Sequence, residues 1–272
     1  MMKSGTCRRV ACIGGGQMAE ALIGGLLTAG TWAPHQIVAT DPSKDRRDAL
    51  QGRFGVGVAT DNREAVVGAE VAILAVKPQV LPDVLEGLRS SWANQLVISI
   101  VAGIRLAWLS ERMPAGVRLI RVMPNAPALV GAGMSVLAVH QSATEDDERL
   151  ARGLFEAVGR AVVLDEGLMD AVTGLSGSGP AYLCVALEAL ADGGVKMGLP
   201  REAAQRLAAQ TAVGAATLLL APGTLSSHWR ETIVADCPPA SRGLEVLRKA
   251  QAGSALVNAV AAATRRSREL GA

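Results

Sequence analysis

The spacing of apolar positions divides this chain in two near residue 164. Ahead of that point, short β-like runs at 9–13, 36–40, 71–75, 95–100, 118–121, 134–139 and 161–164 alternate with stretches of helical period. Such alternation predicts a mostly parallel sheet covered by helices. The run from Val71 to Val76 is apolar at every position, as a strand buried on both faces must be. A helix is expected over 145–158, where Glu145, Asp146 and Asp147 open the pattern and suit the positive end of a helix dipole.

Beyond residue 164 the β-branched runs stop, and alanine- and leucine-rich helical patterns take over. Those at 180–196 and 201–220 are apolar on more than one face, so a second copy of the chain is expected to cover them. Residues 221–241 hold Pro222, Gly223, Pro238 and Pro239 and predict a loop-rich interruption. The expected fold class is α/β: a doubly wound sheet over residues 1–164, then an all-helical domain over 165–272.

Composition narrows the partners. At 50% hydrophobic residues, 272 residues can bury a sizeable core. With 19% charged residues and a formal net charge of +2, no strong field draws the chain to nucleic acid or to an anionic membrane. At 3% aromatics it offers few platforms for stacking single-stranded bases. Small-molecule partners remain. Cys7, Cys12, Cys184 and Cys237 form no C-x-x-C pair and have no histidine cluster nearby, which predicts neither a metal site nor a disulfide framework and fits a cytoplasmic protein. Lys3, Arg8 and Arg9 precede an apolar stretch, but it runs only from Val10 to Ile13, too short for a secretory signal. Charged residues from Glu188 to Arg206 interrupt the alanine-rich region, which therefore predicts buried helix and not a membrane span.

The densest local chemistry is Val10-Ala-Cys-Ile-Gly14-Gly15-Gly16-Gln17-Met18-Ala19, a strand running into G-x-G-x-x-A at the opening of a helix. In a dinucleotide site Gly14 allows the tight turn, Gly16 lets the backbone approach a pyrophosphate, and Ala19 lets helix and strand pack closely. Gln17 and Met18 belong to the same cofactor-binding turn. Asp41, after the second strand, suits an adenosine ribose and favours NADH. Ser43, Lys44, Arg46 and Arg47 follow at once; they suit the extra phosphate of NADPH or form an ordinary solvated helix face. NADPH is the expected cofactor, with NADH the alternative. His35, His140 and His228 stand alone in the sequence and none is expected in catalysis.

Further segments follow in order: Ala75-Val76-Lys77-Pro78-Gln79, Ser99-Ile-Val101-Ala102-Gly103, Arg121-Val-Met123-Pro124-Asn125-Ala-Pro127, Leu175-Ser176-Gly177-Ser178-Gly179-Pro180-Ala181-Tyr182 and Ala191-Asp192-Gly193-Gly194. With Ala263-Thr-Arg-Arg-Ser-Arg-Glu-Leu near the end, they resemble the pyrroline-5-carboxylate reductase family over nearly the whole chain. The resemblance implies a Rossmann domain joined to a helical substrate and dimerisation domain that interlocks with its twin, with rings of dimers in some members. It implies hydride delivery from NAD(P)H to the imine carbon of a carboxylate-bearing five-membered ring, a cyclic imine, to make proline. It places the nicotinamide near Met123 and Asn125, with Val101 and Ala102 along that half, Ala75 and Val76 against the cofactor, and Asn62, Lys77 and Pro78 on the adenosine side. Hydride transfer is the cofactor's own chemistry, so the protein has to orient the ring, keep the imine protonated or hydrogen-bonded, and hold the carboxylate. Ser176, Gly177, Ser178 and Gly179 are expected at the substrate, Ser176 as a catalytic candidate. The two serine hydroxyls either contact substrate or cap the helix that follows.

One stretch departs from the family pattern. Where relatives carry S-P-G-G-T-T, a loop that grips the substrate carboxylate, this chain has Asp236-Cys237-Pro238-Pro239-Ala240-Ser241. Ser241 keeps a hydroxyl and is the second catalytic candidate, Asp236 brings a negative charge to the substrate loop, and the prolines remove N–H donors. A carboxylate held about 5 Å from Asp236 at an effective dielectric of about 20 would feel about 3 kcal/mol of repulsion. Three readings follow. Asp236 turns to solvent or is neutralised by Arg242 and the proline-making activity stands; the enzyme reduces another cyclic imine; or the chain binds NADP without turnover, against which the intact segments around Ser176 and Asn125 weigh.

Overall fold

The computed structural model describes residues 9–221 and 226–271. The expectations resting on Lys3, Cys7, Arg8, Pro222 and Gly223 lie outside those residues.

Strands β1 (Val10–Ile13), β2 (Ile37–Thr40), β3 (Gly57–Ala59), β4 (Val71–Leu74), β5 (Leu96–Ser99), β6 (Arg118–Met123), β7 (Gly133–Val139) and β8 (Gly159–Val163) form one sheet. Their order is β3-β2-β1-β4-β5-β6-β7-β8. From β3 to β6 along that order every pairing is parallel; β7 then runs antiparallel to β6, and β8 parallel to β7. The reversal has a simple cause: the β6–β7 connection holds only a short 3-10 turn, Ala126–Val130, and a parallel return needs a crossover of about a dozen residues or more. The sequence pattern missed β3, a three-residue, half-buried edge strand whose only β-branched residue is Val58.

The helices of this part are α1 (Gln17–Thr28), α2 (Lys44–Phe54), α3 (Asn62–Val66), α4 (Leu81–Gly87), α5 (Leu106–Ser110), α6 (Glu145–Glu156) and α7 (Met169–Val172). Successive strand residues point to opposite faces, and the core divides accordingly. Val10 and Cys12 of β1 and Val71 and Ile73 of β4 pack with Leu22 of α1, Leu50 of α2 and Phe155 of α6. Ala11, Ile13, Ala72 and Leu74 pack on the other side with Val66 of α3, Leu81 of α4, Leu109 of α5 and Met169 of α7. This two-sided burial is why the Val71–Leu74 run carries no polar residue. The acidic start of α6 is a capping box: the Thr144 hydroxyl accepts from the Asp147 N–H at 3.2 Å, and Asp147 Oδ2 accepts from the Thr144 N–H at 2.9 Å.

The remaining helices are α8 (Gly179–Lys196), α9 (Arg201–Leu220), α10 (Ser226–Asp236), α11 (Pro239–Lys249) and α12 (Ala252–Leu270). Contacts divide the described residues into two compact units, one running up to Gly177 and resuming at Ala263, the other within Ser178–Ala262. Residues 165–177 stay with the sheet because Met169 and Val172 are buried in its core. The end of α12 belongs there too: a Cβ at Gly103 would stand 3.4 Å from the Leu270 carbonyl oxygen, and Ser267 Oγ donates to Asp170 Oδ1 at 2.6 Å.

Among the described residues of the second unit, Ala191, Ala204 and Ala208 alone are buried. Leu183, Val185, Leu190, Leu207 and Val213 are each more than half exposed. The loop expected over 221–241 is corrected: most of its described residues are helical, with α10 and α11 separated only by Cys237 and Pro238. Pro238 is the N-cap of α11 and Pro239 its first residue, positions where a missing N–H costs nothing and a fixed φ favours the helix. The proline pair restarts a helix where the composition suggested a break.

Candidate active site

The glycine-rich turn leaves β1 beside β4, where the strand order reverses, which is the crevice that doubly wound sheets use for ligands. Gly14 has φ +103°, and a Cβ there would lie 2.7 Å from the Ala75 carbonyl oxygen, so the turn sits directly on the segment that leaves β4. Gly16 differs. It is the N-cap of α1 with φ −67°, and a Cβ on it would meet nothing within 4 Å. The helix N-terminus beside Gly16 and Gln17 is therefore open and exposed, while Met18 is half-buried against the core.

The peptide of Gly15 is held from both sides. Its N–H donates to Asp41 Oδ2 at 3.0 Å, and its carbonyl accepts from Arg46 Nε at 2.9 Å. Asp41 Oδ1 accepts from the Ser43 N–H at 2.9 Å, so both carboxylate oxygens that the sequence offered to a ribose bond main chain. Arg46 also reaches Glu20 at 2.8 Å, and Arg53 reaches the same carboxylate at 2.6 Å. The hydrogen bond from Arg46, reinforced by Arg53, holds the Glu20 carboxyl below its ordinary value of 4.5 although burial pushes it up. The sequence offers Arg46 only as one of the cations suited to a phosphate or to solvent; its part in fixing the turn carries no sequence signal. Ser43 caps α2, accepting from the Arg46 N–H at 3.4 Å. Lys44 pairs with Asp48, and Arg47 donates to the carbonyls of Asp41 and Pro42.

Asn62 opens α3, and its Oδ1 accepts from Thr40 Oγ1 at 2.6 Å. Beside it lies a cavity of about 430 Å3 lined by Asn62, Arg63, Val80, Asp83, Val84 and Leu88. Val80 and Val84 had no sequence signal, because they read as ordinary helix positions. Lys77 is exposed at the start of the 3-10 turn Pro78–Val80, and Ala75 and Val76 are half-buried.

At the ends of β5 and β6 the geometry is tighter. Val101 is buried, its N–H donating to Ser99 Oγ at 3.3 Å, and Ala102 is exposed. Asn125 Oδ1 accepts from the Met134 N–H at 2.8 Å, which fixes the direction of the amide. Its Nδ2 then donates to the Ser176 carbonyl at 3.1 Å and to Ser176 Oγ at 3.2 Å. A Cβ on Gly177 would stand 2.8 Å from Met123 Cε. Met123, Asn125, Ser176 and Gly177, separate in sequence, thus form one cluster. The segment carrying Ser176 is a π-helical turn, Thr173–Gly177, where the sequence suggested a plain Gly-Ser turn; such insertions recur at functional sites.

Ser178 occupies the N-cap of α8 and Gly179 its first helical position, but the Ser178 side chain makes no capping bond. Asp236 ends α10 and is exposed. Ser241 lies in the first turn of α11, its hydroxyl donating to the Pro238 carbonyl at 2.7 Å. Arg242 pairs with Glu245 at 3.2 Å, so it is not the counter-ion of Asp236 that the sequence suggested.

A family model described as pyrroline-5-carboxylate reductase dimerisation matches residues 166–270, and one described as NADP oxidoreductase, coenzyme F420-dependent, matches residues 9–103. The pyrroline-5-carboxylate reductase of Synechocystis sp. is 46% identical, with the match covering 95% of this chain and 97% of the relative. Among solved structures, a pyrroline-5-carboxylate reductase from Coxiella burnetii superposes with a TM-score of 0.92 at 31% identity, covering 98% of this chain and 100% of that one. The Plasmodium falciparum pyrroline carboxylate reductase with NADP bound gives 0.86 at 28% identity, covering 97% and 98%.

Proposed function

The chain belongs to the pyrroline-5-carboxylate reductase family, and from that premise we propose how its residues share the work. It reduces pyrroline-5-carboxylate to L-proline with NADPH, and it forms a homodimer through its helical part. The exposed leucines and valines of α8 and α9 are the surface that the second copy covers.

The residues fit the cofactor. Gly14 brings the turn onto β4, and Gly16 leaves the N-terminus of α1 open at its edge, where a pyrophosphate gains N–H donors and a favourable dipole. Gly14, Gly16, Gln17 and Met18 form this cradle, and Asp41 holds it by the Gly15 N–H. Ser43 takes the ribose phosphate, joined by Lys44 once it leaves its exposed pair with Asp48, whereas Arg46 and Arg47 stay on the turn and its flank; Asn62, which lines the 430 Å3 cavity, takes the adenosine side with Lys77 and Pro78. Ala75, Val76, Val101, Ala102 and Met123 line the path to the reacting ring. When bound, NADPH supplies the hydride that turns the imine carbon into an amine carbon.

The Asn125–Ser176 pair carries the substrate reading. Because Asn125 Nδ2 donates to Ser176 Oγ, the hydroxyl hydrogen is directed elsewhere and forms a hydrogen bond to the ring nitrogen, which enters already protonated, as hydride addition gives that nitrogen a lone pair. Gly177, Ser178 and Gly179 present main chain to the substrate. Asp236 and Ser241, in the second unit, govern affinity for the substrate carboxylate. Assembly of dimers into rings and a cytoplasmic location complete the proposal.

A second reading, reduction of another cyclic imine, is favoured by the exposed Asp236 with Arg242 held by Glu245. Loss of NADPH absorbance with pyrroline-5-carboxylate, beside 1-pyrroline and a six-membered cyclic imine and repeated with NADH, tests both. Turnover of the carboxylated ring supports proline synthesis. Turnover of an uncarboxylated imine alone refutes it in favour of the second reading.

A further inference from the structure

Glu166 has no role in the scheme above, yet its carboxylate joins three parts of it. It opens a 3-10 turn, Glu166–Leu168, ahead of α7, with Asp165 Oδ1 accepting from the Gly167 N–H at 2.7 Å to hold that turn. Oε1 of Glu166 accepts from the Leu106 N–H at 2.7 Å and from Arg121 Nη1 at 3.0 Å. Leu106 is the first residue of α5, and the α5 N-cap, Arg105, offers no side-chain acceptor. Glu166 therefore satisfies an orphan helix N–H from 60 residues away, the part a local capping side chain ordinarily plays.

Each partner leads into the site. Leu106 ends the connection that carries Val101 and Ala102 out of β5. Arg121 lies in β6 with its side chain 9% exposed, and the strand continues to Met123 and the turn to Asn125. Glu166 itself continues through α7, whose Met169 and Val172 are buried in the sheet's core, into the π turn bearing Ser176. α7 is fastened at Asp170 as well, by the hydrogen bond from Ser267 Oγ.

We propose that Glu166 is a positioning residue for hydride transfer, setting the spacing between the nicotinamide-side segments and Ser176. This rests on the reductase reading. Reacting atoms must be held about 3–3.5 Å apart, and a displacement of about 1 Å costs about 100-fold in rate. Removing the carboxylate frees the α5 end and leaves the nearly buried Arg121 cation without its partner, so both segments shift relative to Ser176.

The test is a single-turnover measurement of NADPH oxidation by pyrroline-5-carboxylate at saturation of both, in full-length dimeric Glu166→Ala and Glu166→Gln. The amplitude counts folded sites; the rate constant reports alignment. In Glu166→Ala the rate constant is expected to fall about 10- to 100-fold, with NADPH affinity by fluorescence changed little. Glu166→Gln, which keeps an acceptor for Leu106, is expected in between. A lowered amplitude with a wild-type rate constant means a merely structural role and overturns the inference. Should Glu166→Ala fail to fold, Glu166→Gln decides alone, and a wild-type rate constant there overturns it. A wild-type protein that oxidises no NADPH with this substrate overturns the reductase reading, and the positioning role with it.

Discussion

Replacing Gly16 by alanine separates the cofactor cradle from the fold that supports it. In the protein without cofactor the new methyl meets nothing within 4 Å, and φ −67° with ψ 178° suits alanine. Exchanging glycine for alanine at an N-cap costs up to about 1 kcal/mol, and the reduced freedom of the unfolded chain returns about 0.4–1 kcal/mol. Stability without NADPH is therefore expected to stay within about 1 kcal/mol of wild type. With NADPH, the methyl stands where the pyrophosphate has to approach. Loss of one hydrogen bond to a charged group costs about 1.5–3 kcal/mol, which raises Kd about 10- to 100-fold. Gly14→Ala supplies the contrast. Its Cβ would press to 2.7 Å from the Ala75 oxygen at φ +103°, and the left-handed backbone alone costs about 1–2 kcal/mol, so this variant loses stability with no cofactor present. Urea denaturation of the cofactor-free proteins and NADPH titration by fluorescence give the two readouts. Wild-type NADPH affinity in Gly16→Ala would refute the placement of the pyrophosphate, and a loss of stability matching Gly14→Ala would refute the claim that the space is open.

Asn125→Asp replaces the donor to Ser176 by an acceptor; kcat is expected to drop by about tenfold or more, and steady-state kinetics with unchanged kcat would remove Asn125 from the site. Glu20, whose carboxyl is held low by Arg46 and then Arg53, contributes stability that is complete above its unfolded value and lost as pH falls through the folded one. Glu20→Gln should therefore be less stable than wild type near neutral pH and converge with it as pH falls from about 4.5 through the lower folded value; denaturation midpoints across that range that remain parallel would contradict the linkage. Burial raises the Cys12 thiol to about 12, so alkylation near pH 8 followed by mass spectrometry should leave Cys12 unmodified until the chain is unfolded. Asp236→Ser is expected to lower KM for pyrroline-5-carboxylate without changing KM for uncarboxylated 1-pyrroline, and equal effects on both substrates would argue that Asp236 does not sense the carboxylate.

Legibility in the sequence followed how local each feature is. The central strands could be read from runs such as Val71–Leu74, because two-sided burial leaves no polar position. The glycine turn could be read because Gly14 and Gly16 answer steric demands of a single turn. β3 escaped because three half-buried residues carry too little pattern, and the helices across 226–241 because prolines at an N-cap and a first turn look like breaks in composition. Arg46, Glu166 and the Asn125–Ser176 pair escaped for a different reason. Their partners stand 31, 60 and 51 residues away, and no spacing rule connects a side chain to a main-chain atom that far along the chain.

The last turns of α12 have a consequence in time. Leu270 and Ser267 complete the surface around Gly103 and Asp170, although the rest of that unit ends at Gly177. At about 5–20 residues per second, a ribosome takes roughly 4 to 17 s to make the intervening Ser178–Ala262 stretch. Through that interval the nascent sheet unit has its glycines and strands but not its final piece, and the α7 segment that leads to Ser176 waits with Asp170 unpaired by Ser267. Synthesis order thus leaves the Asp170 end of α7, just ahead of the active-site turn, to be fastened late in the first unit, after the helical unit has been made.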